Sequence, residues 1–127
     1  MSTQIETTCV QGGYHPGNAE PRQIPIYQST TWKYDSSEFM GKLFDLEESG
    51  YFYTRLQNPT NDFVAAKICE LEGGSAAMLT SSGQAASLLA ILNLCNAGDS
   101  FISTSTIYGG TVNLFAVRLK KLGIECI

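Results

Sequence analysis

One histidine, His15, serves all 127 residues, and the four cysteines, Cys9, Cys69, Cys95 and Cys126, form no C-x-x-C pair. A zinc site needs closer ligand spacing, so zinc binding is not expected. Charge is sparse too. Eight basic residues against twelve acidic ones leave a net charge of −4, with the basic ones scattered. Nothing resembles the basic stripe that nucleic acid requires. No apolar run reaches the roughly 18 residues of a membrane span. The start, Met1-Ser2-Thr3-Gln4-Ile5-Glu6, has neither the basic nor the apolar region of a secretory signal. Also missing are G-x-G-x-x-G, Walker A and G-x-S-x-G patterns. Ser82 has no histidine close by in sequence to act as its base. Cys69 and Cys95 fall among apolar residues in helix-like patterns, as small buried thiols do, and the expectation is a reducing cytoplasm.

The composition, 43% hydrophobic and 16% charged, is that of a folded chain with a core. Residues 1–59 hold all four prolines (Pro16, Pro21, Pro25, Pro59) and most of the aromatic residues. Their periodicity is poor, and only Ser37 to Glu48 reads as a helix. The stretch reads as an extended N-terminal arm. With Ile24, Ile26, Tyr27 and Trp32 it has to cover something, either its own domain or a second subunit.

From residue 60 the pattern becomes regular. Asn61 to Glu72 reads as a helix with Val64, Ile68 and Leu71 on one stripe, stopped by Gly73-Gly74. Ser75 to Thr80 reads as a short strand. Ala85 to Ala97 reads as a helix apolar nearly all round, hence buried on most sides. Ser100 to Thr104 reads as a second strand. After Tyr108-Gly109-Gly110, a third helix carries Val112, Phe115, Leu119 and Leu122, with Arg118, Lys120 and Lys121 in its last turn. Ile124 to Ile127 begins another strand. This α-β-α-β-α-β order predicts an α/β fold with a parallel sheet. Because the sequence stops within a strand pattern, these residues are expected to be the front of a longer protein.

Ligands of parallel sheets bind at the C-terminal edge of the strands. The order of elements puts Ser81-Ser82-Gly83-Gln84 and Tyr108-Gly109-Gly110 on that edge. The first is a strand-to-helix turn whose free N–H groups suit an anion. In the second, an aromatic ring beside paired glycines suits stacking on a flat ring. A tyrosine that merely caps a strand end is the alternative. Tyr53 and Arg55 lie two residues apart, so in an extended segment they face the same way and offer a phosphate clamp. Here the alternative is a solvated arginine beside a tyrosine packed on the arm.

Five ordered motifs resemble the Cys/Met-metabolism pyridoxal-phosphate enzymes. They are Pro25-Ile26-Tyr27-Gln28-Ser29-Thr30, Tyr53-Thr54-Arg55 with Asn58-Pro59-Thr60, Leu71-Glu72-Gly73-Gly74, Ser81-Ser82-Gly83-Gln84-Ala85-Ala86 and Tyr108-Gly109-Gly110-Thr111. Within that family the chain looks most like the O-acetylhomoserine sulfhydrylases. Two segments carry this: Leu43-Phe44-Asp45-Leu46-Glu47-Glu48-Ser49-Gly50 and Tyr108-Gly109-Gly110-Thr111-Val112-Asn113-Leu114-Phe115. Methionine gamma-lyases resemble this region as well, with a cysteine in place of Gly110; cystathionine gamma-synthase-like enzymes are a further alternative. A different class of reading is a non-catalytic chain that only packs on a partner subunit.

The resemblance implies an aspartate-aminotransferase-like (fold type I) large domain beginning at residue 60, its sheet incomplete within these residues. In that fold the first two strands are not neighbours. It implies pyridoxal 5'-phosphate as cofactor, its phosphate held by the turn Ser82-Gly83-Gln84 through the N–H groups of Gly83 and Gln84. Tyr108 would stack on the pyridine ring and assist proton transfer. Tyr53 and Arg55, on the 1–59 arm, would reach the phosphate in a neighbouring subunit, within a homotetramer built as a dimer of dimers. The implied reaction replaces the acetate of O-acetyl-L-homoserine with sulfide or a thiol, giving homocysteine or methionine. The lysine that binds the cofactor covalently is expected downstream; Lys33, in Thr31-Trp32-Lys33-Tyr34, lies in the arm and does not fit that role. These residues are therefore not expected to work as an enzyme alone.

Overall fold

Asn58 and Pro59 begin a helix for a local reason. The Asn58 side chain accepts from the Thr60 N–H at 2.9 Å. Proline follows at the first helical position, where its missing N–H costs nothing. The helix, α3, runs Pro59–Glu72 and ends at Gly73 in the left-handed conformation (φ 64°). There the Gly74 N–H bonds to the Cys69 carbonyl at 2.9 Å. The stop predicted at Gly73-Gly74 is thus observed. The start comes two residues earlier than predicted, because the Asn-Pro pair is itself the cap.

The computed structural model describes residues 4–127. They divide into two compact units, one ending at Leu79 and the other spanning Thr80 to Ile127. The division in packing thus falls after α3, whereas the division in composition falls before it.

In the first unit two short helices precede α3, namely α1 (Ile5–Gln11) and α2 (Ser37–Phe44). Ser36 caps α2 by accepting from the Phe39 N–H at 3.1 Å. It is shorter than the predicted 37–48 helix: Leu46 takes a positive φ of 59° and turns the chain. Leu43, 1% exposed, is the best-buried side chain of this unit. Gly50 lies so close that a Cβ there would meet Leu43 Cδ2 at 3.2 Å.

Helix α1 corrects the expectation that only one helix forms in the arm. Its β-branched Thr7 and Thr8 have weak helix propensity, and its start lacks a side-chain cap. Contacts with α3 hold it instead. The Lys67 ammonium donates to the carbonyls of Cys9 and Val10 at 3.2 and 3.3 Å, at the negative end of α1. The Gly13 N–H donates to Glu70 Oε1 at 3.0 Å. Tyr14 meets Phe63 edge-on with ring centroids 4.8 Å apart. The face of α3 used here is therefore Phe63, Lys67 and Glu70. The stripe read from the sequence is left open, with Val64 39% and Ile68 43% exposed.

The predicted strand at Ser75 to Thr80 is not formed. A strand exists only through ladder bonds to a neighbour, and this stretch has no partner among the described residues.

The second unit contains α4 (Gly83–Leu94), β1 (Ser100–Phe101), α5 (Gly109–Asn113) continuing as a π-helix over Leu114–Leu119, and β2 (Glu125–Cys126). Strands β1 and β2 pair in parallel, Ser100 opposite Glu125 and Phe101 opposite Cys126. The Ile127 N–H to Phe101 carbonyl bond (2.9 Å) and the Ser103 N–H to Ile127 carbonyl bond (3.0 Å) extend the contact by a residue or two. The parallel crossover is as predicted, although both strands are shorter than expected. Gly123 (φ 80°) ends the helical stretch; a Cβ there would lie 3.2 Å from that of Ala97.

Leu119 and Ile124 are 0% and 2% exposed, and Phe115 stands edge-on to Phe101 at 5.0 Å. The π-helical turns wind more widely than an α-helix and break up the apolar set Val112, Phe115, Leu119 and Leu122. Leu119 faces the core, while Val112 and Leu122 are 41% and 52% exposed. Helix α4 also departs from expectation. It is apolar nearly all round, yet none of its residues is buried and Leu94 is 77% exposed. An all-apolar helix needs cover on every side, and these residues supply it on only some.

Candidate cofactor site

Ser82 is the N-cap of α4. Its backbone is extended (φ −164°, ψ 159°), and its hydroxyl oxygen accepts from the Ala85 N–H at 3.1 Å. Its carbonyl takes the first helical bond, from the Ala86 N–H at 3.0 Å. This leaves the N–H groups of Gly83 and Gln84 as the donors of the first turn with no acceptor among the described residues. Thr80 donates its hydroxyl to the Ser82 carbonyl at 2.9 Å, which pins the loop before the helix. A Cβ on Gly83 would meet nothing within 4 Å. The donors thus look into open space at the positive end of a 12-residue helix, an arrangement suited to a phosphate.

Tyr108 opens α5. Its carbonyl accepts from the Thr111 and Val112 N–H groups at 2.8 and 3.1 Å, and its side chain is 76% exposed. The two helix starts are tied directly, since Gln84 Nε2 donates to Thr111 Oγ1 at 3.0 Å. The expected meeting of the Ser82-Gly83-Gln84 turn with the Tyr108 segment is therefore present, but it runs through α4 and α5 and not along the edge of two adjacent strands. In the sequence Thr111 stands out only as part of the Tyr108-Gly109-Gly110-Thr111 motif. Its role was hidden because a 27-residue separation carries no periodicity.

Tyr53 and Arg55 belong to the first unit. Tyr53 forms an isolated antiparallel bridge with Thr31. Arg55 does not continue an extended segment as expected. The Leu56 and Gln57 N–H groups both bond back to the Tyr53 carbonyl, at 2.9 and 3.1 Å, so the chain turns there. The two side chains still come together. The Arg55 guanidinium carbon lies 5.4 Å from the Tyr53 ring centroid, within reach of a cation–π attraction. Arg55 is exposed.

Asn58 builds the support behind this pair. It is 4% exposed and donates to the Tyr27 carbonyl at 3.0 Å and to Thr54 Oγ1 at 3.2 Å. Thr60 Oγ1 accepts from the Tyr27 N–H at 2.9 Å and donates to the Pro25 carbonyl at 3.2 Å. Thr54 donates its hydroxyl to the Ser29 carbonyl. The Pro25-to-Thr30 stretch is thereby fastened to the turn that carries Arg55 and to the start of α3.

The cysteines are all free. Among the described residues, no group of three or more His, Cys, Asp or Glu is placed to hold a metal ion, and no helix is long and apolar enough to cross a membrane.

Comparison with known proteins places this arrangement. O-acetyl-L-homoserine sulfhydrylase 1 of Thermus thermophilus is 46% identical over 126 residues, covering 96% of this chain and 29% of that protein. The homocysteine/cysteine synthase of Saccharomyces cerevisiae is 44% identical over 98% of this chain and 29% of its own length. The chain thus spans less than a third of these relatives. The crystal structure of a Campylobacter jejuni O-acetylhomoserine (thiol)-lyase, containing N'-pyridoxyl-lysine-5'-monophosphate, superposes with a TM-score of 0.90 at 35% identity, over 98% of this chain and 30% of that one. The neighbours have the fold type I architecture of pyridoxal-phosphate enzymes. The model of the Cys/Met metabolism PLP-dependent enzyme family matches residues 6–127, and the chain belongs to that family.

Proposed function

We propose that these residues are the N-terminal part of a pyridoxal-phosphate-dependent O-acetyl-L-homoserine sulfhydrylase, which makes homocysteine or methionine from O-acetylhomoserine and sulfide or a thiol. The observation that carries this reading is the 46% identity, across 96% of the chain, to a protein named for that activity. The site chemistry supports it. Two unpaired N–H groups at a helix start, with an open Gly83 beside them, fit the cofactor phosphate. The exposed Tyr108 ring fits stacking on the pyridine. When bound, the cofactor supplies the electron sink for the replacement.

Each residue has a distinct task in this proposal. Ser82 holds the helix start so that Gly83 and Gln84 donate to phosphate. Tyr108 covers the ring and holds or moves a proton at its phenol oxygen. Tyr53 and Arg55 belong to the 1–59 arm, which serves the site of a neighbouring subunit in a tetramer. Residues 60–127 form the first part of the cofactor-binding large domain. The protein works in the cytoplasm.

The test is an assay of the full-length protein loaded with pyridoxal phosphate. Homocysteine formed from O-acetylhomoserine and sulfide, at a kcat/KM well above any release of methanethiol from methionine, is the expected result. The reverse ratio would make it a gamma-lyase. Neither product, with no cofactor bound, would overturn the reading.

A further inference from the structure

Thr54 stands between Tyr53 and Arg55, and its own side chain is already taken. The Thr54 hydroxyl donates to the Ser29 carbonyl and accepts from the Asn58 amide at 3.2 Å. Its main chain is held as well, since the Thr54 N–H bonds to the Thr30 carbonyl at 2.9 Å. Thr54 is half-buried, whereas Arg55 beside it is exposed.

One oxygen thus joins three segments: the Pro25-to-Thr30 stretch through Ser29, the start of α3 through Asn58, and the turn that carries Arg55. A hydroxyl donates and accepts at a single atom, and valine, of nearly the same shape, does neither. The Asn58 amide has little water to turn to instead, because Asn58 is 4% exposed. A long exposed side chain such as Arg55 has many rotamers, so where its guanidinium reaches depends first on how its backbone is held.

We propose that Thr54 is the positioning residue for the Tyr53–Arg55 pair: its hydroxyl, fixed between Ser29 and Asn58, sets the backbone from which both side chains reach a phosphate group. This rests on the reading that Tyr53 and Arg55 hold the cofactor phosphate. Thr54 acts through its two neighbours. It keeps them in place before the ligand arrives, so less ordering accompanies binding.

The test titrates pyridoxal phosphate into the full-length apoprotein. Thr54→Val should weaken the affinity at least about threefold. Thr54→Ser, which keeps the hydroxyl, should stay within about twofold of the parent, the scatter expected of independent sites. Unchanged affinity in Thr54→Val overturns the proposal. An equal loss in Thr54→Ser overturns it too, because the methyl group and not the hydroxyl would then matter.

A purely structural residue would also lower the melting temperature, so coupling to the pair is the deciding measurement. In a Tyr53→Phe/Arg55→Ala background there is no pair left to position, and adding Thr54→Val should change the affinity by no more than about twofold. The full loss repeated in that background overturns the proposal. A loss in Arg55→Ala with none in Thr54→Val overturns the proposal alone and leaves the phosphate reading standing. Unchanged affinity in Arg55→Ala removes that reading and the proposal with it. If Thr54→Val does not fold, Thr54→Ala takes its place: the smaller side chain leaves room for water beside the Asn58 amide, and the same outcomes decide.

Discussion

Gln84 Nε2 donates to Thr111 Oγ1 at 3.0 Å, joining the first turn of α4 to the first turn of α5 across 27 residues of sequence. The two helix starts proposed to hold the cofactor phosphate and its ring are thus braced by one side-chain hydrogen bond. Thr111→Val removes the acceptor and leaves the half-buried Gln84 amide without it. A typical hydrogen bond contributes about 0.5–1.5 kcal/mol net, so the unfolding free energy should fall by about that amount. Thr111→Ser, which keeps the hydroxyl, should sit close to the parent. Urea denaturation of the three proteins checks this, and equal midpoints for Val and Ser would contradict it.

Asn58 concentrates more stability in one side chain. It caps α3 and donates to the Tyr27 carbonyl and Thr54 hydroxyl while 4% exposed. Asn58→Ala loses a cap worth about 1 kcal/mol and strands buried partners at about 1–3 kcal/mol. A total loss of about 2–4 kcal/mol is expected. Asn58→Asp keeps the capping oxygen and should recover part of it. Thermal melts of both variants would reveal the order.

Arg55 is predicted to matter for the cofactor more than for the fold. It is exposed, and its guanidinium lies over the Tyr53 ring. In the full-length protein Arg55→Ala should weaken pyridoxal-phosphate affinity by about 1.5–3 kcal/mol, the worth of a charged hydrogen bond. That is about ten- to a hundredfold. The melting temperature of the cofactor-free protein should hardly move. Titration of the apoprotein with cofactor measures the first effect, and unchanged affinity would refute the role.

Alkaline pH should destabilise the first unit through its tyrosines. Burial, then the charge of nearby Asp62, pushes the Tyr51 phenol above its ordinary 10.0. Burial, followed by the charge of Glu20, does the same for Tyr14, and burial alone for Tyr34. A raised folded-state pKa means that the unfolded chain gives up its proton first. The stabilising contribution is complete below pH 10 and is lost as the pH climbs through the raised values. Denaturation midpoints should therefore begin to fall as the pH rises past about 10, and Tyr51→Phe should make the fall shallower. A flat profile would contradict the assignment.

The Tyr34 hydroxyl oxygen is buried without a hydrogen-bond partner among the described residues. Tyr34→Phe removes that unsatisfied group while keeping the ring that faces Phe39 at 6.0 Å. Stability should be unchanged or slightly higher. A clear loss in a thermal melt would show that the hydroxyl is satisfied in solution.

Punctuation was legible in the sequence by itself. Gly73-Gly74 stops α3, Ser82 precedes α4, Gly123 ends the last helix, and the α-β order implies the parallel pairing of Ser100–Phe101 with Glu125–Cys126. These are local decisions, set by φ, by caps and by the right-handed crossover. The motif set was legible too, because short ordered residue patterns survive without any coordinates.

Tertiary structure decided the rest. Helix α1 forms because Lys67 and Glu70 reach it from α3, which no propensity in Ile5–Gln11 foretells. The Ser75-to-Thr80 stretch, strand-like in composition, makes no ladder because it has no neighbour to pair with among the described residues. Arg55 meets Tyr53 through a turn and a cation–π contact and not through strand alternation. Gln84 finds Thr111 through space. In each case the partner lies outside the local window, so the residue's own type leaves the outcome open until packing chooses.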